Sequence, residues 1–221
     1  MREIMKRSKG KYLIAIGSLL LIVAAILIFF NMLQDKKSGE RAKEVLFELE
    51  AQITDEVNKL KATEQEQTTV SDDLFAQYEV EEVEEATQEK LAEINGDSYI
   101  GIVSIPNLGI RLPVMSEWSY ANLKISPCRY SGRADENNLI IAAHNYSSHF
   151  GNISELTVGD EIVFIAADGK EYNYTTIQTE TLNGTDVESL VANGNETWGL
   201  TLFTCTLSGQ SRVCVRAEKN E

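Results

Sequence analysis

The chain has 221 residues, of which 43% are hydrophobic, enough for one packed domain and an additional segment. Its formal net charge of −14 argues against nucleic-acid binding, because that function needs a basic surface. The three cysteines form no CxxC pair and there are only two histidines, so a zinc site of Cys and His ligands is not expected. Two of the cysteines could still form a disulfide, and three free thiols are equally compatible with the sequence.

The N-terminal segment has the composition of a membrane anchor. Residues 12–34 contain no charged side chain and are long enough to cross a hydrocarbon core as a helix, which takes about 20 residues. The basic residues that precede this run are Arg2, Lys6, Arg7, Lys9 and Lys11. Because positive flanks stay in the cytoplasm, we expect residues 1–11 to be a cytoplasmic tail and residues 12–34 a single-pass signal anchor in the cell membrane. The rest of the chain would then be extracytoplasmic.

The next segment, residues 35–95, is predicted to be an acidic extracytoplasmic stalk. An apolar stripe at spacings of three and four predicts a helix in its first part: Ala42, Leu46, Leu49, Ile53, Val57 and Leu60. This helix could form a short coiled coil, pack on the following domain, or stand as a stalk. Residues 63–95 are typical of a solvated, partly helical spacer. Its scattered carboxylates could bind calcium, although we expect no cofactor.

From Gly96 onward the pattern changes to short β runs. Runs rich in Val, Ile, Thr and Tyr, such as "YIGIVSIP" and "LTLFTC", are separated by Gly, Pro, Asn and Asp. Seven or eight such strands predict a compact all-β barrel or sandwich over residues 96–221. Two short helical pieces are expected, near residues 120–125 and 186–192.

Three residues in this domain could together support nucleophilic catalysis. Cys205 ends the run "LTLFTC", His144 ends the apolar run "NLIIAAH", and Arg212 opens the last run, "SRVCVRAE". A thiol attacks a carbonyl as the thiolate, so it needs a nearby base or cation, and the anion that forms needs donors. Cys205 could instead be a small buried filler. The second histidine, His149, lies in a polar loop, where we expect it to be solvated.

The sequence around these three residues resembles the sortases, the transpeptidases that attach proteins to Gram-positive cell walls. The segment "TLFTC" at 201–205 resembles the TLxTC signature of that family, and "AAHN" at 142–145 resembles the stretch that holds its histidine. The segment "HFGNISELTVGDEIVF" resembles the F-x-x-L-x-x-L-x-x-G-D pattern, and "SRVCVRA" resembles the strand that opens with its arginine. The resemblance covers residues 99–218 and implies a closed β-barrel with short helices.

The resemblance also implies roles for individual residues. Cys205 would be the nucleophile, His144 the general acid and base, and Arg212 the group that binds the substrate backbone and the oxyanion. Thr204 and Asn145 would contribute to the substrate-binding site. No metal ligand is implied.

Three further residues of the same domain are predicted to have no catalytic role. Arg216 is a rival for the arginine role, but the family pattern favours Arg212, so we expect Arg216 to be a surface charge. Cys128 and Cys214 are expected to be structural fillers.

The implied activity is cleavage of a C-terminal sorting signal of surface proteins through a thioester, followed by transfer to a cell-wall amine. Its partners would be proteins that carry this signal, a peptidoglycan precursor or other amine acceptor, and the membrane lipid around residues 12–34. The short loop after Cys205, the lack of a DPW or DPF lid motif and the lack of a second hydrophobic span lead us to expect a type other than pilin-polymerising. The alternatives are an anchored cysteine peptidase and a degenerate module that only binds sorting signals.

Overall fold

The computed structural model describes residues 2–68, 89–186, 188–190 and 198–220. Within these ranges the chain forms one long helix and nine strands. Their bounds are α1 Arg2–Thr68, β1 Ala92–Ile94, β2 Asp97–Ile105, β3 Ile110–Met115, β4 Cys128–Ser131, β5 Leu139–Ala143, β6 Glu161–Ala166, β7 Glu171–Asn183, β8 Leu200–Cys205 and β9 Ser211–Lys219. The two predicted helical pieces are short 3-10 turns, Asn122–Lys124 and Glu188–Leu190. Most of the predicted spacer, residues 69–88, lies outside the described residues.

The chain divides into two compact units, residues 1–37 and 38–221. In the first unit, nearly all of the apolar side chains from residue 12 to 34 are exposed. The helix that carries them is, by length and composition, the one candidate membrane span among the described residues.

The second unit contains a closed β-barrel, as predicted. Eight described strands pair in the order β2-β3-β4-β5-β8-β9-β7-β6, and a further pairing of β6 with β2 closes the ring. At this closure Gly101 of β2 pairs with Ala166 of β6. A Cβ atom on Gly101 would lie 2.1 Å from the carbonyl oxygen of Ile165, so glycine is needed for the two strands to approach. The short strand β1 pairs with the first three residues of β2.

A tight hairpin joins β1 to β2. Asn95 and Gly96 both have positive φ angles, 54° and 86°, as a type I′ turn requires, and Asn-Gly is the preferred sequence for this turn. Strand β1 lies within the predicted stalk, residues 35–95. The sheet therefore begins before the predicted domain boundary at residue 96.

Two apolar layers lie on opposite sides of the barrel wall. Strand β5, "LIIAA", is buried on both faces. Its Leu139 and Ile141 belong to the barrel interior, whereas Ile140 and Ala142 belong to an apolar cluster on the outer face. Side chains alternate across a strand, so a run without polar residues requires that both faces be covered.

Helix α1 supplies part of that outer cover from residue 38 onward. Val45, Leu49 and Ile53 are buried in the outer cluster, Ala42 is buried in the same cluster as Leu139 and Ile141, and Leu60 is 51% exposed. Of the three arrangements open for this helix, the structure has the one in which it packs on the domain. The first part of the predicted stalk thus belongs to the same compact unit as the barrel.

Truncating the helix at this contact should destabilise the barrel unit. Leu49 is 0% exposed, and a buried Leu→Ala change costs about 2–5 kcal/mol because it removes apolar contact and leaves a cavity. We expect Leu49→Ala to lower the free energy of unfolding by this amount, measured by urea titration of the detergent-solubilised chain. Phe47→Ala is the matched control, because Phe47 lies on the same helix and is 78% exposed. Equal midpoints for the two variants would contradict the packing of α1 on the domain.

Candidate active site

The end of β8 places a cysteine opposite an arginine. Cys205 is the last residue of β8, and its antiparallel partner on β9 is Arg212. Residues that oppose each other across antiparallel strands have Cβ atoms about 4.5–5.5 Å apart and side chains on the same face. The two residues that the sequence linked by motif are therefore neighbours across one strand pair.

A histidine lies on the other side of the same strand end. Strand β5 runs parallel to β8 and pairs Ala143 with Thr204. His144 follows β5 directly, so one more step in the same register places it beside Cys205. Parallel strands end at the same edge of a sheet, and neighbouring strands lie about 4.8 Å apart. The structure thus brings the predicted His144, Cys205 and Arg212 together at one edge of the barrel.

The three cysteines differ sharply in environment. Cys205 is half-buried, whereas Cys128 and Cys214 are fully buried. Burial raises the pKa of the Cys128 thiol to about 12 and that of the Cys214 thiol to about 11. Both remain protonated at neutral pH, which suits the structural role predicted for them. Cys205 is the one thiol of the three that is partly exposed to solvent.

The imidazole of His144 is biased toward its neutral form. Its ring is half-buried, and burial together with the positive charge of Lys124 holds the pKa of His144 below its ordinary value. The ring of Tyr146 lies against it, with centroids 4.8 Å apart. A neutral imidazole can accept a proton, which is the state that a general base requires.

The expectation that His149 is solvated is wrong. His149 is 0% exposed, and its ring lies 5.6 Å from the ring of Tyr146. The loop that holds it is folded back on itself, since the backbone N–H groups of His149 and Gly151 both donate to the carbonyl of Tyr146. The loop composition is polar, but this compact turn directs His149 into the protein.

The guanidinium of Arg212 is held close to its own hairpin. Its Nη1 donates to the carbonyl oxygens of Gly209 at 3.1 Å and Ser211 at 3.2 Å. A guanidinium has five N–H donors in a planar fork, and these two bonds use one nitrogen. These bonds hold the guanidinium at the turn between β8 and β9, on the residue that pairs with Cys205.

The two residues predicted for substrate binding are placed differently. Thr204 is buried, and its hydroxyl donates to the carbonyl oxygen of Ala143 at 2.9 Å. This bond joins β8 to β5 on the face opposite the thiol. Asn145 is half-buried and directly follows His144. Substrate contact by either residue stays a prediction.

The expectation that Arg216 is a surface charge is wrong. It is 3% exposed, and its Nε donates to a carboxylate oxygen of Glu180 at 2.9 Å. Its Nη2 donates to the backbone carbonyl of Ser189, and its guanidinium lies 4.4 Å from the ring centre of Trp198. These partners are one residue of β7 and two described residues of the connection between β7 and β8. Arg216 is therefore a buried cross-link, and Arg212 is the arginine beside the thiol.

A row of aromatic side chains extends along the outer face from the strand that carries Cys205. The sequence alone did not predict these residues as part of the site. Phe203 lies two residues before Cys205 on the same face of β8 and packs edge-to-face with Tyr130, at 5.3 Å between centroids. Tyr130 packs in turn against Trp118, which is 39% exposed. Strand alternation could have indicated Phe203, but the other two rings lie on elements that only the fold brings near. This row offers an apolar surface beside the site.

No group of three or more His, Cys, Asp or Glu side chains that could hold a metal ion occurs within the described ranges. Residues 69–88, most of the acidic spacer whose carboxylates could bind calcium, lie outside those ranges. The arrangement at the edge of β5, β8 and β9 is that of a thiol, an imidazole and a guanidinium, which is suited to acyl transfer.

A family model described as "Sortase domain" matches residues 103–220, just over half of the chain. The chain belongs to the sortase family. The motifs that suggested this resemblance lie within the matched region or at its edge. No curated protein matches the chain at a significant level.

Solved structures of sortases share this fold. Sortase A from Corynebacterium diphtheriae has a TM-score of 0.51 at 22% identity, and the match covers 57% of this chain and 62% of that one. A Clostridium perfringens sortase D5 transpeptidase has a TM-score of 0.51 at 25% identity, with 59% and 83% covered. Sortase C1 from Streptococcus agalactiae has a TM-score of 0.50 at 25% identity, with 58% and 70% covered. Sortases of three types are thus similar to this chain, so the comparison does not assign its type.

The three thiols should differ in reactivity. We expect iodoacetamide at pH 8 to modify Cys205 alone, because a pKa near 11 or 12 leaves only about one in a thousand to one in ten thousand molecules of Cys214 or Cys128 as thiolate. Peptide mapping by mass spectrometry would locate the label. Urea-unfolded protein, in which all three thiols should react, is the control. Equal labelling of Cys128 and Cys205 in the folded chain would refute the assignment of Cys205 as the accessible thiol.

Proposed function

We propose that this sortase is a membrane-anchored cysteine transpeptidase that cleaves a C-terminal sorting signal of surface proteins and transfers the cleaved protein to a cell-wall amine. The observation that carries the proposal is the pairing of Cys205 with Arg212 at the strand end where His144 follows β5. The membership of the domain in the sortase family supports the same reaction.

In the first step, the thiolate of Cys205 attacks the carbonyl carbon of the scissile peptide bond. The resulting oxyanion would be stabilised by N–H donors of Arg212, which lies across the strand pair. The C–N bond then breaks, and protonated His144 donates its proton to the departing amine. The acyl part of the substrate remains attached to Cys205 as a thioester.

In the second step, an amine attacks the thioester carbon. Neutral His144 accepts a proton from the amine, the C–S bond breaks, and the Cys205 thiolate is released. The lowered pKa of His144 suits this step, because it keeps the imidazole able to accept a proton at neutral pH. The lowered pKa also reduces the population of protonated His144, which the first step needs. The rate of acylation should therefore depend more strongly on pH than the rate of transfer to the amine.

The row of aromatic rings offers a place for the apolar part of the sorting signal. Phe203 lies on the Cys205 face of β8, and Tyr130 and Trp118 extend the apolar surface from it. A peptide whose scissile carbonyl lies at Cys205 could bury an apolar side chain against these rings, which would hold the carbonyl at the thiol.

The candidate membrane span supports an anchored enzyme. Residues 12–34 would cross the cell membrane, with residues 1–11 in the cytoplasm and the catalytic domain outside, because the basic residues precede the span. Substrates and lipid-linked amines held in the same membrane would then meet the enzyme at a raised effective concentration.

A peptide assay tests the proposed reaction. The full chain in detergent, incubated with fluorogenic sorting-signal peptides and an amine acceptor, should yield amine-linked products detected by mass spectrometry, and Cys205→Ala should abolish them. Release of the free acid alone, across several amines, would favour a peptidase. No turnover of any peptide, together with tight peptide binding, would favour a module that only binds sorting signals.

The pH dependence of transfer should respond to Lys124. The charge of Lys124 disfavours protonated His144, so Lys124→Met should raise the pKa of His144 and move the rising limb of the transfer rate to higher pH. The amine acceptor should be an acyl hydrazide, because its terminal nitrogen is already deprotonated over the pH range of the experiment. The pH dependence then reports on the enzyme and not on the acceptor. Salt screens an exposed charge such as that of Lys124, so added salt should also move the rising limb of the wild-type profile to higher pH. The same salt should have less effect on Lys124→Met, which lacks this charge. A limb that moves to lower pH would contradict this account of His144.

A further inference from the structure

A row of three neighbouring, tilted rings leads from the proposed general base into the protein. The ring centres of His144 and Tyr146 are 4.8 Å apart with 35° between their planes. Those of Tyr146 and His149 are 5.6 Å apart with 46° between their planes. We refer to His144, Tyr146 and His149 as the ring row. His144 is its half-buried member, and the other two lie behind it.

The inner part of the ring row is fixed by burial and by the backbone. Tyr146 is 8% exposed and His149 is 0% exposed, so neither ring can turn without displacing its neighbours. The N–H of Phe150 donates to the carbonyl of His144 at 3.2 Å, which closes the loop that carries all three rings. The His144 ring therefore packs on one side against a tyrosine ring that is itself fixed in place.

Helix α1 holds the far end of the ring row. The hydroxyl of Ser38 donates to the carbonyl oxygen of Lys124 at 2.6 Å, and its oxygen lies 3.1 Å from Nε2 of His149. A serine hydroxyl has one proton, so with that proton directed to Lys124 its oxygen accepts at the second contact. Nε2 of His149 therefore carries a proton. Ser38 is 2% exposed, so this contact is shielded from water.

The next residue of the helix lies close to the same loop. A Cβ atom on Gly39 would be 2.8 Å from Cβ of Ser148, closer than side chains normally approach. Glycine stabilises a helix less than alanine does, so its presence here is unfavourable for the helix itself. The close approach gives a physical reason for it, because a larger residue would push α1 away from the loop that carries the ring row.

We propose that Tyr146 and His149 are positioning residues that orient His144 for proton transfer, and that α1, through Ser38 and Gly39, holds them in place. This inference rests on the proposed function in taking His144 as the acid and base. Proton transfer requires the imidazole within hydrogen-bond reach of the thiol and the departing amine, and a displacement of about 1 Å can cost about 100-fold in rate. The outer helix is thereby part of the catalytic apparatus, although it provides no group that touches the substrate.

Three variants of the full chain separate the parts of this arrangement. His149→Gln keeps an amide donor near the position of Nε2 but removes the ring that packs against Tyr146. Ser38→Ala removes the hydroxyl but leaves all three rings. Thr54→Ala is the matched control, because Thr54 is an exposed hydroxyl residue of α1 that bonds within the helix to Glu50.

The first measurement is the titration of His144 by NMR with labelled histidine, in detergent micelles. The chain has two histidines, so the His149→Gln variant leaves a single signal and assigns both. We expect the pKa of His144 to rise toward its ordinary value in His149→Gln and in Ser38→Ala, because a looser ring is better solvated, and to be unchanged in Thr54→Ala. This measurement needs no turnover, so it tests the ring row even if no peptide proves to be a substrate.

The second measurement is the steady-state rate with a peptide substrate. We expect kcat to fall about tenfold or more in His149→Gln and several-fold in Ser38→Ala, with KM within about twofold, because neither residue lies on the path of the substrate. Gly39→Ala should also lower kcat although alanine favours the helix. The double variant Gly39→Ala with Ser148→Gly, compared with Ser148→Gly alone, should recover the rate lost in Gly39→Ala.

Specific results would overturn the proposal. An unchanged His144 titration and an unchanged kcat in Ser38→Ala, in a variant whose melting temperature matches the wild type, would show that the helix does not act on His144. A rise in KM without a fall in kcat would place these residues in substrate binding instead. If His149→Gln fails to fold, Ser38→Ala and Gly39→Ala decide the question.

Discussion

Strand β8 pairs with β5 on one side and with β9 on the other, and the candidate site depends on the register of both pairings. Parallel pairing with β5 places His144 next to Cys205, and antiparallel pairing with β9 places Arg212 across from it. Because side chains alternate along a strand, a slip of one residue in β8 would turn Cys205 into the barrel interior. Buried residues on both faces of β5 and β8 oppose such a slip, so the packing of the barrel fixes the geometry of the site.

The outer face of the barrel carries both the packing contacts of α1 and the candidate site. On this face α1 packs from Ser38 onward, and the connection between β7 and β8 is joined to β9 through Arg216. The outer face also carries Phe203, two residues before Cys205 on β8. The compact unit of residues 38–221 therefore contains the barrel, the candidate site and the part of α1 that packs on the barrel.

Much of the fold and of the candidate site could be predicted from local sequence. The β runs, the closed barrel and the grouping of Cys205, His144 and Arg212 followed from alternation and from a short set of ordered motifs. The burial of His149 and Arg216 could not be predicted in this way. His149 lies in a polar loop and Arg216 is a charged residue of β9, and each is covered by residues distant in sequence: Ser38 of α1 contacts His149, and Ser189 and Trp198 contact Arg216. The apolar stripe predicted a helix but not its partner, because a stripe of that length suits a coiled coil as well as a barrel surface.

The placement of the two buried thiols has a consequence for oxidative damage. Cys214 pairs with Phe203, so it lies diagonal to Cys205, about 7–8 Å away, which is too far for a disulfide without backbone movement. Cys128 lies on β4, two strands from β8, which puts it about 9 Å away or more. A sulfenic acid formed on Cys205 by a peroxide would therefore have no resolving cysteine within the chain. Its recovery would depend on a thiol supplied from outside, and without one the oxidation would proceed to irreversible products.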